Sequence, residues 1–283
     1  MIRRRRLEER LFKGLMVASL ALIGLIFAAL VGVILVRGAA ALSWETLVQT
    51  PRGGYYLGGG GGIANAIVGS LYLGLGGLLL SLAWSVPVAF GLQKEFIGKR
   101  WARVTRLTLD VLWGTPSIVL GAIAFVVMPL VGLRTSLLSG ILVLSVLMLP
   151  IMTRAMEEVI RMVPRELKET ALAMGSTRLE TVLAVTWRQA LPGLVTGVLL
   201  AFGRGIGDAA SILFATGYTD RIPSSLLDPV ASLPLAVFFQ IQTPIPAVQE
   251  RAYAAAVVLM VIILLISLIS RWAGARLSRH RIR

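Results

Sequence analysis

Two ionisable side chains, Arg204 and Asp208, stand four residues apart inside an otherwise apolar stretch of the chain. A guanidinium presents a planar fork of donors that matches the oxygens of phosphate and similar oxyanions, and a carboxylate one helical turn away would face the same side. Ionised groups within a membrane span are costly and commonly mark the route of a polar solute. We therefore expect Arg204 to attract an oxyanion and Asp208 to keep its binding weak enough for release. The structural alternative is a permanent buried ion pair between the two side chains.

Two hydroxyl side chains, Thr115 and Ser117, flank Pro116 in a second apolar stretch. A proline inside a helix removes a hydrogen bond and predicts a kink, so we expect the hydroxyls at this kink to line the same route as Arg204. Small residues recur at every fourth position around Arg204, at Gly197, Ala201, Gly205 and Ala209. This spacing predicts close packing of a neighbouring helix, and a locally opened backbone that offers N–H groups to the anion is the alternative.

The elements that must position these residues are helices of a membrane protein. Hydrophobic residues make up 57% of the 283 residues, and the mean hydropathy is +0.83. Soluble domains contain roughly 45–50% apolar residues. Several apolar segments reach the roughly 20 residues that a helix needs to cross about 30 Å of hydrocarbon, and the alternating pattern of barrel strands is absent. The sequence predicts an all-α polytopic protein with about six transmembrane helices, at Leu11–Val36, Ala66–Leu92, Leu107–Val131, Leu137–Met156, Ala190–Thr216 and Ala252–Trp272.

The distribution of basic residues orients this bundle. With the N-terminus in the cytoplasm, 22 of the 28 Lys and Arg residues fall on the cytoplasmic side, five on the opposite side and one, Arg204, inside the membrane. Basic residues accumulate in short cytoplasmic loops, so both termini are expected in the cytoplasm. The net charge of +14 is then explained by this topology and by contact with anionic membrane lipids, and no nucleic-acid partner is expected.

Few residue types suited to catalysis or metal binding are present. The chain has no cysteine and one histidine, His280, in the basic C-terminal tail, which argues against zinc sites and histidine catalysis. No phosphate-binding loop is encoded, because the Gly98-Lys99 pair is followed by Arg100 and not by Ser or Thr. We predict that the chain is not an enzyme and binds no cofactor.

A lone acid, Asp110, lies near the cytoplasmic end of the third predicted span and is compatible with a proton relay in an ion-coupled secondary anion transporter. Many such carriers contain inverted repeats with paired broken helices, and no internal repeat is evident in this sequence. A membrane-embedded enzyme would need an acid–base or metal constellation, but the adjacent acids Glu157 and Glu158 diverge on a helix. The secondary transporter therefore stays as the alternative, and a membrane enzyme is not expected.

The cytoplasmic loop between the fourth and fifth predicted spans has the pattern of two short helices around a glycine. Pro164 suits the first turn of one helix, and Gly175 suits a left-handed residue after its end. Thr177 and Glu180 have the spacing of a capping box that begins the second helix. An apolar stripe on the first helix is flanked by charged residues, namely Leu167, Ala171 and Met174 beside Arg165, Glu166, Lys168 and Glu169. Such a helix can dock into a partner's groove or rest on lipid headgroups, and periodicity does not separate these alternatives.

Two external loops differ in kind. The first contains Tyr55 and Tyr56 ahead of a glycine run at 58–62, which predicts a flexible connector with interfacial tyrosines. The second, at 217–250, has five prolines among apolar residues, so it cannot form one long helix. It is expected to pack against the bundle, either as a re-entrant or surface-lying segment that touches an external partner or as a plain connection between two spans.

The cytoplasmic loop carries a family resemblance. Residues 169–175, which read ETALAMG, continue to the ALPG of residues 190–193 and resemble the Glu-Ala-Ala…Gly loop of binding-protein-dependent ABC importer permeases. In that family the loop forms a coupling helix that inserts into a cytoplasmic ATPase. The resemblance implies ATPase coupling at Arg165, Glu169, Ala171, Met174 and Gly175. Thr170 stands where the family usually has alanine, and it is small enough to leave the turn intact.

Three further segments resemble the phosphate-specific members of that family, the PstA type, at residues 114–119, 149–151 and 204–213. The resemblance extends from about residue 61 to the C-terminal region and implies the MetI-like fold of type I ABC importer permeases. Departures from the family's usual valine, glutamate and proline stand at Thr115, Asp208 and Ser211. The shorter side chain of Asp208 keeps the negative charge and has less reach.

The resemblance implies a function and a set of partners. The chain would be the transmembrane permease subunit of an ATP-driven inorganic phosphate importer in the bacterial inner membrane. Its partners would be a homologous second permease, a cytoplasmic ABC ATPase dimer that uses ATP and Mg, and an extracytoplasmic phosphate-binding protein. The ion-coupled carrier and a permease for another oxyanion remain the alternatives.

The chain is expected to divide into three parts. Residues 1–62 hold the basic tail, the first span and the glycine-rich external loop; residues 63–275 form the permease core, with the coupling loop at 160–185; and residues 276–283 form a basic cytoplasmic tail. The substrate pathway is expected at Arg204, Asp208, Thr115 and Ser117, and no metal or catalytic site is expected.

Overall fold

The computed structural model describes residues 2–93 and 96–277, and every regular element in these ranges is helical. His280 and the rest of segment 278–283 lie outside the described residues. The α-helices of the described ranges are α1 (Ile2–Ala41), α2 (Trp44–Val48), α3 (Ala64–Gly91), α4 (Lys99–Gly114), α5 (Ser117–Val127), α6 (Leu137–Arg161), α7 (Arg165–Ala173), α8 (Arg178–Glu180), α9 (Trp187–Ile206), α10 (Leu233–Ile241) and α11 (Pro246–Leu277). A π-helix, Thr181–Thr186, joins α8 to α9, and 3₁₀ turns cover Tyr55–Leu57 and Met128–Val131. The all-α prediction is confirmed.

The number of spans agrees with the sequence, but the third span is broken. Five helices in the described residues are long and apolar enough to cross a membrane, and a sixth span results if the bent pair α4–α5 is counted as one. The kink predicted at Pro116 in the span Leu107–Val131 is confirmed, and it is a full break, because α4 and α5 meet at an angle of 100°. Pro116 explains the break: it has no N–H, and it restricts the preceding Thr115 to extended backbone, here with φ −71° and ψ 127°.

The fifth predicted span, Ala190–Thr216, has different ends in the structure. The elements α8, the π-helix and α9 form one continuous helix of 29 residues, Arg178–Ile206. Three glycines surround its C-terminal end, Gly203, Gly205 and Gly207. Each glycine weakens a helix by about 1 kcal/mol relative to alanine. The helix therefore ends between the two residues of the predicted charged pair.

The core lies where α3, α6 and α9 meet. Its largest fully buried side chains include Leu73, Leu144, Met148, Met152, Met156 and Ile160. Small residues bring α9 close to α6: a Cβ added at Gly197 would lie 3.0 Å from Ala155 Cβ, and one at Gly205 would overlap the side chain of Met148. The close packing predicted along the ladder of small residues is confirmed at these two positions.

The first helix, α1, lies at the edge of the bundle and contacts α11. A Cβ added at Gly38 would lie 2.5 Å from the backbone oxygen of Tyr253, and the Arg37 guanidinium lies 5.3 Å from the centre of the Tyr253 ring. Along most of its length the apolar side chains of α1 are exposed in the isolated chain, with Leu20 at 73%. A surface of this kind requires lipid or another membrane subunit around it.

The proline-rich external loop folds back into the bundle. Its helix α10 buries Leu233, Leu235 and Ala236 completely, and the N–H of Leu233 donates to Ser70 Oγ of α3 at 2.8 Å. The packing predicted for this loop is confirmed. The burial of these residues at the start of α10 favours the re-entrant alternative over a plain connection between two spans.

The glycine-rich external loop is held in place and is not the flexible connector expected from its composition. Tyr55 is 2% exposed, and the Arg251 guanidinium of α11 lies 4.3 Å from the centre of its ring. The same guanidinium donates to the carbonyl oxygens of Tyr55, at 2.7 Å, and of Gly59. Tyr56 donates a hydrogen bond of 2.5 Å to Asp220 in the second external loop. Burial raises the pKa of the Tyr55 phenol to about 12, so this side chain stays protonated and neutral inside the cluster.

A substitution at Gly69 of α3 tests how closely the re-entrant loop must approach that helix. A Cβ at Gly69 would overlap the backbone oxygen of Ala231, a fully buried residue of the loop. We expect Gly69→Ala to lower the free energy of unfolding by about 1–3 kcal/mol, because a backbone oxygen cannot rotate away as a side chain can. Thermal denaturation of the full chain in detergent measures the change. Gly91→Ala in the same helix is the control, since no atom lies within 4 Å of its Cβ position; an equal loss in both variants would contradict the packing argument.

Candidate functional site

Arg204 lies in the last turn of α9, at mid-depth of the bundle. The adjacent Gly205 packs against Met148, which lies near the midpoint of α6 (Leu137–Arg161). The backbone of Arg204 therefore lies near the middle of the membrane-spanning bundle. Arg204 is exposed in the isolated chain, and within the described residues it takes part in no hydrogen bond or ion pair. Leu200, one turn earlier on the same face, is 61% exposed. The guanidinium therefore lies on an apolar outer face of this chain.

Asp208 does not share a helical face with Arg204. The helix α9 ends at Ile206, and Asp208 follows in non-helical backbone with 5% exposure. Its Oδ1 accepts a hydrogen bond from the N–H of Ser211 at 3.2 Å, while its Oδ2 is buried with no partner in the described part of the chain. The predicted one-turn spacing is wrong, and so is the alternative of a permanent ion pair between the two residues, because the glycines end the helix between them.

The segment after α9, residues 207–216, is irregular and buried at membrane depth. Four of its residues are at most 2% exposed, namely Ser211, Ile212, Ala215 and Thr216. Irregular backbone is stable inside a membrane only where protein or water satisfies its polar groups. The carbonyl oxygen of Ala215 accepts from the N–H of Ser136 at 3.0 Å, and that of Thr216 accepts from the N–H of Val230 at 3.1 Å. The carboxylate of Asp208 contributes to the same end by accepting from the backbone of this segment.

Thr115 and Ser117 lie at the break between α4 and α5. The Thr115 hydroxyl donates to a carbonyl oxygen of its own helix at 2.8 Å, and Ser117 is the half-buried first residue of α5. One turn further along α5, a Cβ added at Gly121 would lie 2.5 Å from the backbone oxygen of Ser211. The helix α5 thus packs on the irregular segment, but within the described residues no hydrogen bond joins either hydroxyl to the charged pair.

The cytoplasmic loop forms the predicted helix–glycine–helix elbow. The first helix is α7, Gly175 has a φ of +90°, and both hydrogen bonds of the capping box between Thr177 and Glu180 are present. A φ of +90° lies in the left-handed region that glycine adopts without a steric cost. Each of these local predictions is confirmed.

The surface of the elbow mixes charged and apolar side chains. Met174 is 82% exposed. Of the other predicted coupling residues, Arg165, Glu169 and Gly175 are exposed and Ala171 is half-buried. The hydroxyl of Thr170, the departure from the family pattern, donates to the carbonyl oxygen of Glu166 at 2.8 Å. Its polarity is therefore satisfied within α7.

Sequence reasoning missed a charge cluster at the cytoplasmic end of α6. Glu157 is 2% exposed and pairs with three arginines, Arg106 at 2.7 Å, Arg154 at 3.1 Å and Arg161 at 2.8 Å. Arg154 also pairs with Asp110 of α4, so Asp110 is not the isolated acid of a proton relay. The spacing of Arg154, Glu157 and Arg161 along one face of α6 is a signal in the sequence. The pairing with α4 depends on the tertiary fold.

The π-helix between the elbow and α9 is a second feature that the sequence does not signal. Its i→i+5 hydrogen bonding is rare in proteins and frequent at functional sites. The Thr186 hydroxyl donates to the carbonyl oxygen of Thr181, five residues earlier, at 3.4 Å. Neither composition nor periodicity separates this segment from an ordinary α-helix.

No group of three or more His, Cys, Asp or Glu side chains in the described ranges is placed to hold a metal ion. The expectation that the chain holds no metal or cofactor stays a prediction.

Residues 85–282 match a family described as binding-protein-dependent transport system inner membrane component. The chain is 33% identical to the phosphate transport system permease protein PstA 2 of Mycobacterium bovis, over 89% of this chain and 82% of that protein. It is 32% identical to the phosphate transport system permease protein PstA of Yersinia pestis, over 75% of this chain and 72% of that protein. It is 28% identical to the probable ABC transporter permease protein YqgI of Bacillus subtilis, over 97% of this chain and 98% of that protein.

Solved structures of ABC transporters share the fold. An inward-facing MetNI methionine ABC transporter gives a TM-score of 0.63 at 19% identity, with 76% of this chain and 95% of that chain covered. An amino acid ABC transporter with histidines gives a TM-score of 0.59 at 16% identity, with 76% and 93% covered. At these identities the likeness establishes the fold, which is the predicted MetI-like fold of type I importer permeases. The chain therefore belongs to the family of binding-protein-dependent transport system inner membrane components, as a multi-pass transport subunit of the inner membrane and not an enzyme.

Proposed function

We propose that this chain is the transmembrane permease subunit of an ATP-driven importer of inorganic phosphate. Relatives named as phosphate transport permeases are 32% and 33% identical to it over 75% and 89% of the chain. Arg204 supplies the fork of donors that suits a phosphate group. Sequence relationship and side-chain chemistry thus support the same substrate.

The unpaired guanidinium of Arg204 is the observation that carries this proposal. A charged side chain that faces acyl chains at mid-membrane costs about 2.5–3.5 kcal/mol on insertion scales. Arg204 is exposed in the isolated chain beside the exposed Leu200, and none of the described residues pairs with it. A water-filled path, closed on its other side by a homologous second permease, removes that cost and gives the guanidinium an anion to bind.

Asp208, Thr115 and Ser117 complete the proposed pathway. The Asp208 carboxylate lies four residues after Arg204 in the irregular segment, where it lowers the positive potential without touching the guanidinium. A passage must release the anion that it admits, and this offset favours release. Thr115 and Ser117 lie at the break of the α4–α5 pair, whose second helix packs on the same segment.

The cytoplasmic elbow is the proposed contact with an ABC ATPase dimer. The coupling residues are Arg165, Glu169, Ala171, Met174 and Gly175. Met174 and Leu179 are 82% and 61% exposed, so a partner's groove can bury them. The continuous helix Arg178–Ile206 connects the elbow to Arg204, so movement of the ATPase reaches the pathway through one helix.

The proposed assembly divides the work among its subunits. This chain hydrolyses nothing and holds no cofactor, and ATP and Mg bind to the partner ATPase. An extracytoplasmic phosphate-binding protein delivers the anion to the external face. The family assignment, to a binding-protein-dependent system, disfavours the ion-coupled secondary carrier.

Reconstitution of the chain with its second permease, ATPase and binding protein tests the function directly. We expect ATP-dependent uptake of radiolabelled phosphate into proteoliposomes, competed by arsenate more strongly than by molybdate. Preferred uptake of a different oxyanion would replace phosphate as the substrate. Uptake that follows a proton gradient and ignores ATP would restore the secondary carrier.

Arg204→Gln removes the positive charge and keeps much of the side-chain length. We expect phosphate uptake to fall about 100-fold, because the charge-assisted contact to the anion is lost. The complex should remain folded, since Arg204 makes no stabilising polar contact among the described residues. Uptake assays and size-exclusion chromatography measure the two properties. Arg188→Gln, at an exposed arginine nearer the cytoplasmic end of the same helix, is the matched control. Normal uptake by Arg204→Gln would remove this residue from the pathway.

Asp208→Asn separates the charge of this residue from its hydrogen bond. Asparagine keeps an oxygen for the N–H of Ser211 and loses the negative charge. We expect a lower KM for phosphate together with a lower maximal rate, because the anion binds more tightly and leaves more slowly. Asp208→Ala loses the acceptor as well and should also destabilise the chain, by about 1–3 kcal/mol. Unchanged uptake kinetics in the asparagine variant would show that the charge plays no part in passage.

Gly175→Pro tests the elbow as the coupling element. Proline fixes φ near −65°, which is incompatible with the φ of +90° at this residue. We expect ATP hydrolysis by the complex to continue while phosphate uptake falls about tenfold or more, because the two are no longer mechanically linked. Parallel assays of ATP hydrolysis and uptake give the ratio. Gly175→Asn is the control, since asparagine tolerates left-handed backbone. A proline variant with an unchanged ratio of uptake to ATP hydrolysed would exclude the elbow from coupling.

A further inference from the structure

Two reciprocal ion pairs join α4 to α6 near the cytoplasmic end of the bundle. Arg106 of α4 pairs with Glu157 of α6 at 2.7 Å, and Asp110 of α4 pairs with Arg154 of α6. We call these four residues the α4–α6 clamp. Each helix contributes one cation and one anion, so the clamp fixes both the contact and the register of the two helices. The Arg106 guanidinium also donates to the carbonyl oxygen of Leu92 at the end of α3, at 3.0 Å.

Apart from the clamp, α4 is lightly attached to the bundle. Its inner face buries only Ala102 and Leu109. Its outer face leaves large side chains exposed, with Trp101 at 67%, Leu107 at 63% and Val111 at 61%. A helix held by a small apolar patch and ion pairs separates from its neighbour more readily than one whose side chains interdigitate along its whole length.

Both ends of α4 permit it to turn. Gly98 precedes it, and Gly114 ends it immediately before the extended Thr115 and Pro116. A Cβ added at either glycine would meet no atom within 4 Å, so neither glycine is itself packed against another described part of the bundle. The 100° angle between α4 and α5 shows that the backbone at this break is not helical, so no helical hydrogen bonds must break when the angle changes.

The charges of the clamp have alternative partners inside their own helices. On α6, Glu157 already pairs with Arg154 at 3.1 Å and with Arg161 at 2.8 Å. On α4, Arg106 and Asp110 stand four residues apart, which is the spacing of an intrahelical ion pair. Removing one partner of a buried ion pair is strongly destabilising when it leaves the other charge uncompensated. Here separation of the helices leaves every charge with a partner, so that penalty does not arise.

We propose that the α4–α6 clamp is a latch that opens and closes during the transport cycle, with α4 pivoting about the break at Thr115 and Pro116. The proposal rests on the transport function proposed above. When the latch opens, the ion pairs exchange from partners on the other helix to partners on the same helix. The pivot changes the angle between α4 and α5 at the break. Because α5 contacts the irregular segment through Gly121, this change links the cytoplasmic end of the bundle to the pathway at mid-depth.

A reversible cross-link tests the latch, and because this chain contains no cysteine, any thiol in it is an introduced one. Asp110→Cys with Arg154→Cys places two thiols across the clamp, while Arg106 and Glu157 keep the second ion pair. The full complex is treated with a short bis-methanethiosulfonate reagent in proteoliposomes and later reduced. We expect the cross-linked complex to lose phosphate uptake about tenfold or more and to recover it on reduction, because a locked helix cannot complete the cycle. Each single-cysteine variant, treated in the same way, controls for modification of the thiol alone.

A second measurement on the same variant distinguishes failure of the latch from failure of the proposed substrate. The rate at which the two thiols cross-link is measured without nucleotide and with ATP bound to the partner ATPase, and we expect these rates to differ. Uptake that is equal in the cross-linked and reduced complexes, or cross-linking that is equally fast in both nucleotide states, would overturn the latch. A nucleotide-dependent cross-linking rate in a complex that takes up no phosphate would retain the latch and overturn the proposed substrate instead.

Discussion

A polar group at the centre of a bilayer has no water to bind, so the protein must satisfy each one from within or expose it to another subunit. Most of this structure follows from that constraint. Glu157 is buried because three arginines surround it. The irregular segment 207–216 is stable because backbone N–H groups from elsewhere in the chain and the carboxylate of Asp208 bind its polar groups. Arg204 has no partner among the described residues, so its charge must be satisfied by water or by another subunit.

Glycines allow helices to approach the irregular parts of the fold. Gly121 of α5 faces the backbone oxygen of Ser211, and Gly69 of α3 faces that of Ala231. Both contacts place a smooth helix surface against non-helical backbone, where any larger side chain would separate them. Through such contacts α5 packs on the irregular segment after α9, and α3 packs on the loop before α10.

A single continuous helix connects the cytoplasmic loop to Arg204. Met174 and Gly175 form the elbow, and the helix that begins at Arg178 continues without interruption to Ile206. The π-helix lies within this element, between the elbow and the part that packs against α6. In this member of a binding-protein-dependent transport family, Arg204 therefore lies near the far end of the helix that begins beside the elbow.

The sequence by itself determined the features that depend on local or one-dimensional signals. Hydropathy gave six spans, and the capping box at Thr177 and the left-handed Gly175 followed from side-chain chemistry within a few residues. The family resemblance likewise lies in the residue types around the elbow, such as the ETALAMG of residues 169–175.

Only the tertiary structure decided the features that depend on partners distant in the chain. Tyr55 is buried because Arg251 lies over its ring, and Asp110 is paired because α6 brings Arg154 beside it. The end of α9 at Ile206 also depends on the tertiary structure. Glycines weaken the helix there, but the irregular backbone that follows is stable only because the rest of the bundle encloses it. Local sequence fixes what a segment can do, and the neighbours supplied by the fold fix which of those possibilities is stable.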